Sequence, residues 1–148
     1  DYEHWYTHWA DSVTITGIKT VISEIIKEKN RRSQTQDEAI LSRMLDYIHQ
    51  NYRDNIMLND LADQFNISPK YCGILFKQLS DNNFKDYLNN YRINQARALL
   101  EKDPSLKTKD LSAMTGFNSS NTFIRVFSKY TGMTPQKYAE HVIDKAKK

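Results

Sequence analysis

The stretch Gly116-Phe117-Asn118-Ser119-Ser120-Asn121-Thr122-Phe123-Ile124-Arg125-Val126-Phe127-Ser128-Lys129-Tyr130-Thr131-Gly132-Met133-Thr134-Pro135-Gln136-Lys137-Tyr138 reads as a turn, a short helix, a stop and a second helix start. Gly116 suits a tight turn with positive φ, Ser119 is a favourable N-cap, and Gly132 stands where a helix C-cap glycine belongs. Thr134-Pro135 restarts a helix, because Thr caps and Pro fits the first helical position. Between the caps, Phe123, Val126, Phe127 and Tyr130 recur at helical spacing and form one buried face. The other face carries Ser120, Asn121, Ile124, Arg125 and Ser128. From Leu111 through Ala139 there is no Asp or Glu, while Arg125, Lys129 and Lys137 are present. A helix with amide and guanidinium donors on its free face is suited to a polyanion. An ordinary solvated helix is the competing reading of this window taken alone.

A second copy separates the two readings. Ser68-Pro69-Lys70-Tyr71-Cys72-Gly73-Ile74-Leu75-Phe76-Lys77 lies 51 positions upstream, with Ser68 matching Ser119, Leu75 matching Val126 and Phe76 matching Phe127. Here too a Ser caps the helix and Pro69 takes its first position. Each copy follows a short helical segment, 58–65 and 109–114, in which a small residue (Ala62, Ser112) follows a Leu, as close crossing of two helices over a tight turn requires. Leu61 and Leu111 are 50 apart whereas the capping Ser residues are 51 apart, so the second turn is one residue longer. The sequence therefore predicts two helix-turn-helix units, at about 58–79 and 108–131.

From about Ile40 to Val142 the chain resembles the DNA-binding region of AraC/XylS-type transcription regulators. The resemblance is carried by Gly116-Phe117 with Ser119, then Phe123, Arg125 and Phe127, and then Gly132-x-Thr134-Pro135-x-x-Tyr138. Between the motifs it is carried by Tyr87-Leu88, Arg92-Ile93 and Ala96-x-x-Leu99-Leu100. The chain departs from the family pattern at Asp81 (often Gly), Thr122 (commonly Tyr), Thr108 and Thr115 (usually aliphatic) and Ala139 (commonly basic). The resemblance implies a cytoplasmic bacterial regulator that binds double-stranded DNA and works with RNA polymerase. It also implies an upstream sensor or receiver domain outside this chain, through which the full-length protein can be membrane-anchored.

Composition agrees with an all-α chain: 148 residues, four Gly, three Pro, 39% hydrophobic residues and no strand-like alternation of any length. No run approaches the roughly 20 apolar residues that a spanning helix needs. Cys72 is the single cysteine, which excludes an internal disulfide, and its place on an apolar helix face reads as a packed thiol. The formal charge is +3, and residues 1–36 hold equal numbers of acids and bases, so the excess lies in 37–148.

Residues 1–36 are read as an N-terminal connector segment and 37–148 as the DNA-binding domain. Trp5, Trp9, Tyr2 and Tyr6 sit at helical spacing with His4 and His8 one turn apart; without a third ligand the pair reads as part of a packing surface, and no metal is expected. Ile15, Ile18, Ile22 and Ile25 form a coiled-coil-like seam too short for a firm assignment, consistent at most with a weak homodimer through residues 13–29. Lys29 to Gln36 reads as a polar hinge, with Thr35-Gln36-Asp37-Glu38 fitting a capping box that starts the next helix near Gln36. That helix buries Ile40, Leu41, Met44, Leu45, Ile48 and Tyr52 and roofs the first motif.

Phe84 to Glu101 reads as a linker helix of about 27 Å that holds the two motifs at a nearly fixed separation. Arg92 and Arg97 are expected to pair with the flanking motifs. A closing helix after Thr134-Pro135 is expected to cover the second motif through Tyr138, Val142 and Ile143. The base-reading candidates are Asn121, Arg125, Ser120 and Ile124 in the second motif and Lys70, Gly73 and Ile74 in the first. Ser68, Lys77, Ser119, Lys129 and Lys137 are the phosphate candidates. A paired-motif module that docks another protein is the alternative. An enzyme is a poor third: no catalytic residue, cofactor loop or nucleophile elbow is found, and a methyl-acceptor role for Cys72 conflicts with its apolar setting.

Overall fold

The computed structural model describes the backbone of residues 2–148 and the side chains of residues 16–148 other than those of Leu79 and Ser80. Among these, seven α-helices and no strand occur: α1 (Tyr2–Asn51), α2 (Leu58–Gln64), α3 (Pro69–Ser80), α4 (Phe84–Lys102), α5 (Thr108–Met114), α6 (Ser120–Thr131) and α7 (Pro135–Ala146). The chain divides into two units, Asp1–Ile40 and Leu41–Lys148.

In the first unit the backbone stays helical across 29–36, contrary to the hinge and new helix start expected there. The side chains explain it. Thr35 turns its hydroxyl onto the Arg31 carbonyl at 2.9 Å instead of capping a new helix. Glu28 accepts from both Arg31 and Arg32, one turn away on the same helix, so the adjacent arginines are satisfied locally. Ile18, Ile22 and Ile25 are exposed, and Val21 and Ile26 beside them widen the stripe. The His4/His8 and Trp/Tyr cluster and Ile15 lie outside the described side chains.

The second unit opens with the last turns of α1. Leu41, Met44 and Ile48 are buried on one face, and Tyr47 meets Phe65, in the turn of the first motif, edge to face with ring centroids 6.2 Å apart. Arg43 lies over the same Phe65 ring. His49 stacks on Tyr91 and shares a 2.7 Å hydrogen bond with the Tyr87 hydroxyl, which ties the end of α1 to α4.

The two motifs repeat down to individual backbone bonds. In the first, the N–H groups of Phe65, Asn66 and Ile67 donate to Leu61, Asp63 and Ala62; in the second, those of Thr115, Gly116 and Phe117 donate to Leu111, Ala113 and Ser112. Ala62 and Ser112 are buried at the crossings, where α2 packs on α3 and α5 on α6. Thr115, polar where the family is aliphatic, is fully buried and donates its hydroxyl to the Leu111 carbonyl at 2.8 Å. The left-handed residue of the turn is Asn66 in one copy (φ 53°) and Gly116 in the other (φ 84°).

Helix α4 serves both halves. Near its start Phe84 and Tyr87 pack on Phe76 of α3, while Ile93, Ala96 and Leu100 join Leu111, Phe117, Phe123, Val126, Phe127 and Ala139 in the second core. Between these stretches lies Arg92, only 9% exposed, donating from Nε to the Tyr52 carbonyl (2.7 Å) and from Nη2 to that of Asp54 (2.8 Å). Its guanidinium also lies over the Phe117 ring, 5.6 Å from the centroid.

Arg97 donates to the Tyr138 hydroxyl, which in turn donates to Glu101, so α7 is latched to the far end of α4. On α7 the buried residues are Pro135 and Ala139, and Tyr138 packs edge to face on Phe127. Ile143, expected to help cover the motif, is exposed, because α7 turns its Pro135–Tyr138–Ala139 side inward.

Helix α3 ends on Asp81 in a left-handed conformation (φ 55°), where α6 ends on Gly132 (φ 77°). A left-handed L-residue is strained, and an acid at a helix C-terminus opposes the helix dipole. Asp81→Gly is therefore expected to stabilise the domain by about 0.5–1 kcal/mol, after discounting the greater unfolded-state entropy of glycine. Urea unfolding with an unchanged slope and a higher midpoint is the expected result.

Candidate nucleic-acid interface

Two short helices, α3 and α6, each present one exposed polar stripe opposite a buried face. In α6 the Ser119 Oγ accepts from the Thr122 N–H (3.2 Å), and its hydroxyl donates to Thr122 Oγ1 (2.9 Å). Both capacities of that side chain are thus engaged in starting the helix. Phe123, Val126 and Phe127 anchor the inner face, and Tyr130, half-buried, donates its hydroxyl to the Asp86 carbonyl of α4. This orients the outer face, on which Asn121 and Arg125 are exposed one turn apart. Ser120 and Ser128 are half-buried beside them.

Ile124 does not share that exposure. It is half-buried and packs against the second core, so the exposed stripe of α6 is narrower than the sequence suggests. Lys129 is exposed, with its ammonium 5.6 Å from the Tyr130 ring centroid. Lys137 is exposed in the first turn of α7, where its backbone N–H is capped by the Thr134 hydroxyl.

In α3, Ser68 Oγ accepts from the Tyr71 N–H at 3.1 Å. Lys70, Ile74 and Lys77 are exposed at spacings of four and three, the same stripe that Asn121, Arg125 and Ser128 form in α6. Ile74 is 40% exposed, the one apolar side chain between the two lysines of that stripe. Gly73 is half-buried next to α2, and a Cβ there would lie 3.9 Å from Leu58 Cδ2. It faces the neighbouring helix more than the free stripe.

Two polar residues escaped the sequence reading. Gln78, exposed on α3, occupies the place of Lys129, a match available from the 51-residue offset. Arg53, exposed beside the second turn, donates to the Tyr52 hydroxyl at 3.2 Å. No local sequence signal reveals its position, since the approach of residue 53 to Gly116 is a tertiary contact.

The thiol of the chain lies off both stripes. Cys72 is fully buried, and burial pushes its thiol up to about 11, so it stays protonated at neutral pH. Among the described residues no group of His, Cys, Asp and Glu could hold a metal ion, and no helix is long and apolar enough to cross a membrane.

Comparison with known proteins agrees with this arrangement. A family model described as a helix-turn-helix domain matches residues 61–141. The melibiose operon regulatory protein of Escherichia coli K12 is 33% identical over 116 residues, 74% of this chain and 38% of that protein. The chain thus spans well under half the length of that relative. The C-terminal domain of AraT, a response regulator from Geobacillus stearothermophilus, is 25% identical with a TM-score of 0.66, covering 69% of this chain and 84% of that one. The DNA-binding domain of AdpA, solved in complex with a target DNA, shares the fold with a TM-score of 0.69 at 18% identity, covering 73% of this chain and 96% of that one. The paired motifs, the α4 linker and these matches lead to one conclusion: the chain belongs to the AraC/XylS-type family of helix-turn-helix domains.

Proposed function

We propose that this chain is the sequence-specific DNA-binding region of a bacterial transcription regulator, placing α3 and α6 in successive major grooves of one duplex. The observation that carries the reading is the repeat itself. Two capped helices in one compact unit expose stripes at matching positions, and neither stripe contains an acid. An α-helix fits the major groove, where each base pair offers a distinct donor and acceptor pattern. Arg125 can donate two bonds to a guanine, and Asn121 can pair with adenine or reach a phosphate, with Ser120 and Ile124 at the margin of the same zone.

Lys70 and an Ile74 contact with a thymine methyl give the first motif its weaker reading, and Gly73 offers no donor. Ser68, Lys77, Lys129 and Lys137 suit phosphates; Ser119, its hydroxyl engaged in the cap, acts there through the helix start. The DNA-binding domain is taken to begin between residue 37 and the Leu41 start of the second unit, and the working compartment is the cytoplasm. RNA polymerase and an upstream sensor or receiver domain are the proposed protein partners. The exposed stripe of Ile18, Ile22 and Ile25 covers too few heptads for a tight coiled coil, so the isolated chain self-associates weakly through residues 13–29 at most.

The reading is tested first by salt. Affinity for duplex DNA should fall steeply with ionic strength, and a log–log slope near zero would reject DNA as the ligand in favour of a protein partner. Substitution separates reading from gripping: Arg125→Ala should cost about 1–3 kcal/mol on the preferred site and relax preference at one position. Lys77→Ala should weaken all sequences about equally. An unchanged selected motif in Arg125→Ala would show that the reading face lies elsewhere.

The footprint is the third test. Helix α4, 19 residues long, spans about 28 Å, less than the roughly 34 Å of a duplex turn, so either the motifs tilt outward or the DNA bends toward the protein. One chain should cover roughly 20 base pairs on one face as two unlike zones. A palindromic site that needs two chains for one pair of grooves would exclude this geometry.

A further inference from the structure

We infer that Arg92 and Gly116, neither of which lies on a reading stripe, fix the spacing between the two DNA contact zones by locking the second motif onto the end of the helix that roofs the first. The inference rests on the DNA reading proposed above and adds to it a specificity element outside the grooves.

A linker helix alone is a weak spacer. It sets a length, but each motif packed at its ends can still rock about it. Here the two halves also touch directly. Arg92 Nε and Nη2 reach the carbonyls of Tyr52 and Asp54, at 2.7 and 2.8 Å, in the turn that follows α1. The same guanidinium lies over Phe117 of the second turn. Gly116 brings its backbone so close that a Cβ would lie 2.6 Å from the Tyr52 carbonyl oxygen and 2.9 Å from that of Arg53. All of the atoms it would meet are backbone, so no rotamer change relieves the fit.

Both reading helices are tied to this joint. Phe117 packs on Phe123 of α6, with ring centroids 5.3 Å apart. On the other side the end of α1 holds Phe65 of the first turn through Tyr47. A shift of one motif against the other therefore breaks charged hydrogen bonds and a backbone contact, not merely side-chain packing. One inserted base pair displaces a contact zone by about 3.4 Å along the duplex and by roughly a tenth of a turn around it. A locked pair of motifs cannot follow both changes. Arg92 is thus a positioning residue: it reads no base, but it determines which spacing of bases is accepted.

The test uses the full chain. From the site selected by the wild-type protein, duplexes are made with the two zones at the native spacing and with one base pair removed or added between them. The wild type should prefer one spacing by about ten-fold or more. Arg92→Met should flatten that preference to a few-fold while keeping the base preferences within each zone, and Arg92→Lys, which keeps the charge without the two-pronged reach, should fall between. Circular dichroism and urea unfolding establish that each variant is folded; should Arg92→Met not fold, Arg92→Lys carries the test. In parallel, spin labels at Lys77→Cys and Lys129→Cys report the distance between the motifs without DNA. A narrow distribution in the wild type that broadens with the Arg92 variants supports the joint. Unchanged spacing preference and unchanged distance distribution in a folded variant would overturn it. A wild type without salt-dependent duplex affinity, but with a label distance that still responds to Arg92, would remove the DNA reading and the spacing role while upholding the joint.

Discussion

The structure depends on one buried cation that has backbone carbonyls for partners. Arg92 sits where α4 passes from the first motif to the second, and burial pushes its guanidinium down from the ordinary arginine range. It remains charged, because arginine does not deprotonate in proteins. Desolvating that charge is costly, and two charge-assisted hydrogen bonds of about 1.5–3 kcal/mol each offset the cost. The carbonyls it meets follow the C-terminus of α1, where the helix dipole is negative. A lysine would bring a single point of charge to a place where a planar fork meets two carbonyls and an aromatic ring.

The two motifs share a backbone and differ in what surrounds it. Asn66 and Gly116 hold the same left-handed position, yet the demands on them are unequal. At 66 the requirement is conformational, which Asn tolerates. At 116 the Tyr52 and Arg53 carbonyls leave no room for a Cβ, so glycine is needed for space as well as for φ. Gly132 is the contrasting case: a Cβ there would meet no atom within 4 Å, and only its φ of 77° calls for glycine. The extra residue Asn118 lengthens the second turn without disturbing its backbone bonds, since Phe117 still donates to Ser112 as Ile67 does to Ala62.

The exposed stripes are correspondingly unlike. That of α6 is built around Asn121 and Arg125, whereas α3 offers Lys70, Ile74 and Lys77, a charged frame around an apolar centre. Hydrogen-bond donors in fixed geometry discriminate between bases; a lysine frame and a methyl contact grip more than they discriminate. The one thiol, Cys72, is buried in the packing of α3 and lies on neither stripe.

Much of this was legible in the sequence, because capping and periodicity are local. Ser68, Ser119 and Thr134 start helices, Pro69 and Pro135 occupy first positions, and Phe123, Val126 and Phe127 mark an inner face; each is decided within one or two turns of chain. The one-residue difference between the turns followed from counting alone. Local reasoning failed at 29–36, where Thr35 and Glu38 form a plausible start but Thr35 and Glu28 instead bond within a helix that is already running. It failed again at Ile124 and Ile143, since the sequence marks both as apolar but does not reveal how far around each helix the neighbouring core extends. The sequence by itself determined which residues are helical, where most helices begin, and which stripe of α3 and of α6 is polar. Only the tertiary structure decided that the turn after α1 lies against Gly116 and that Arg92 closes the joint, because those contacts join residues about 40 or more positions apart, beyond the reach of helical periodicity or capping.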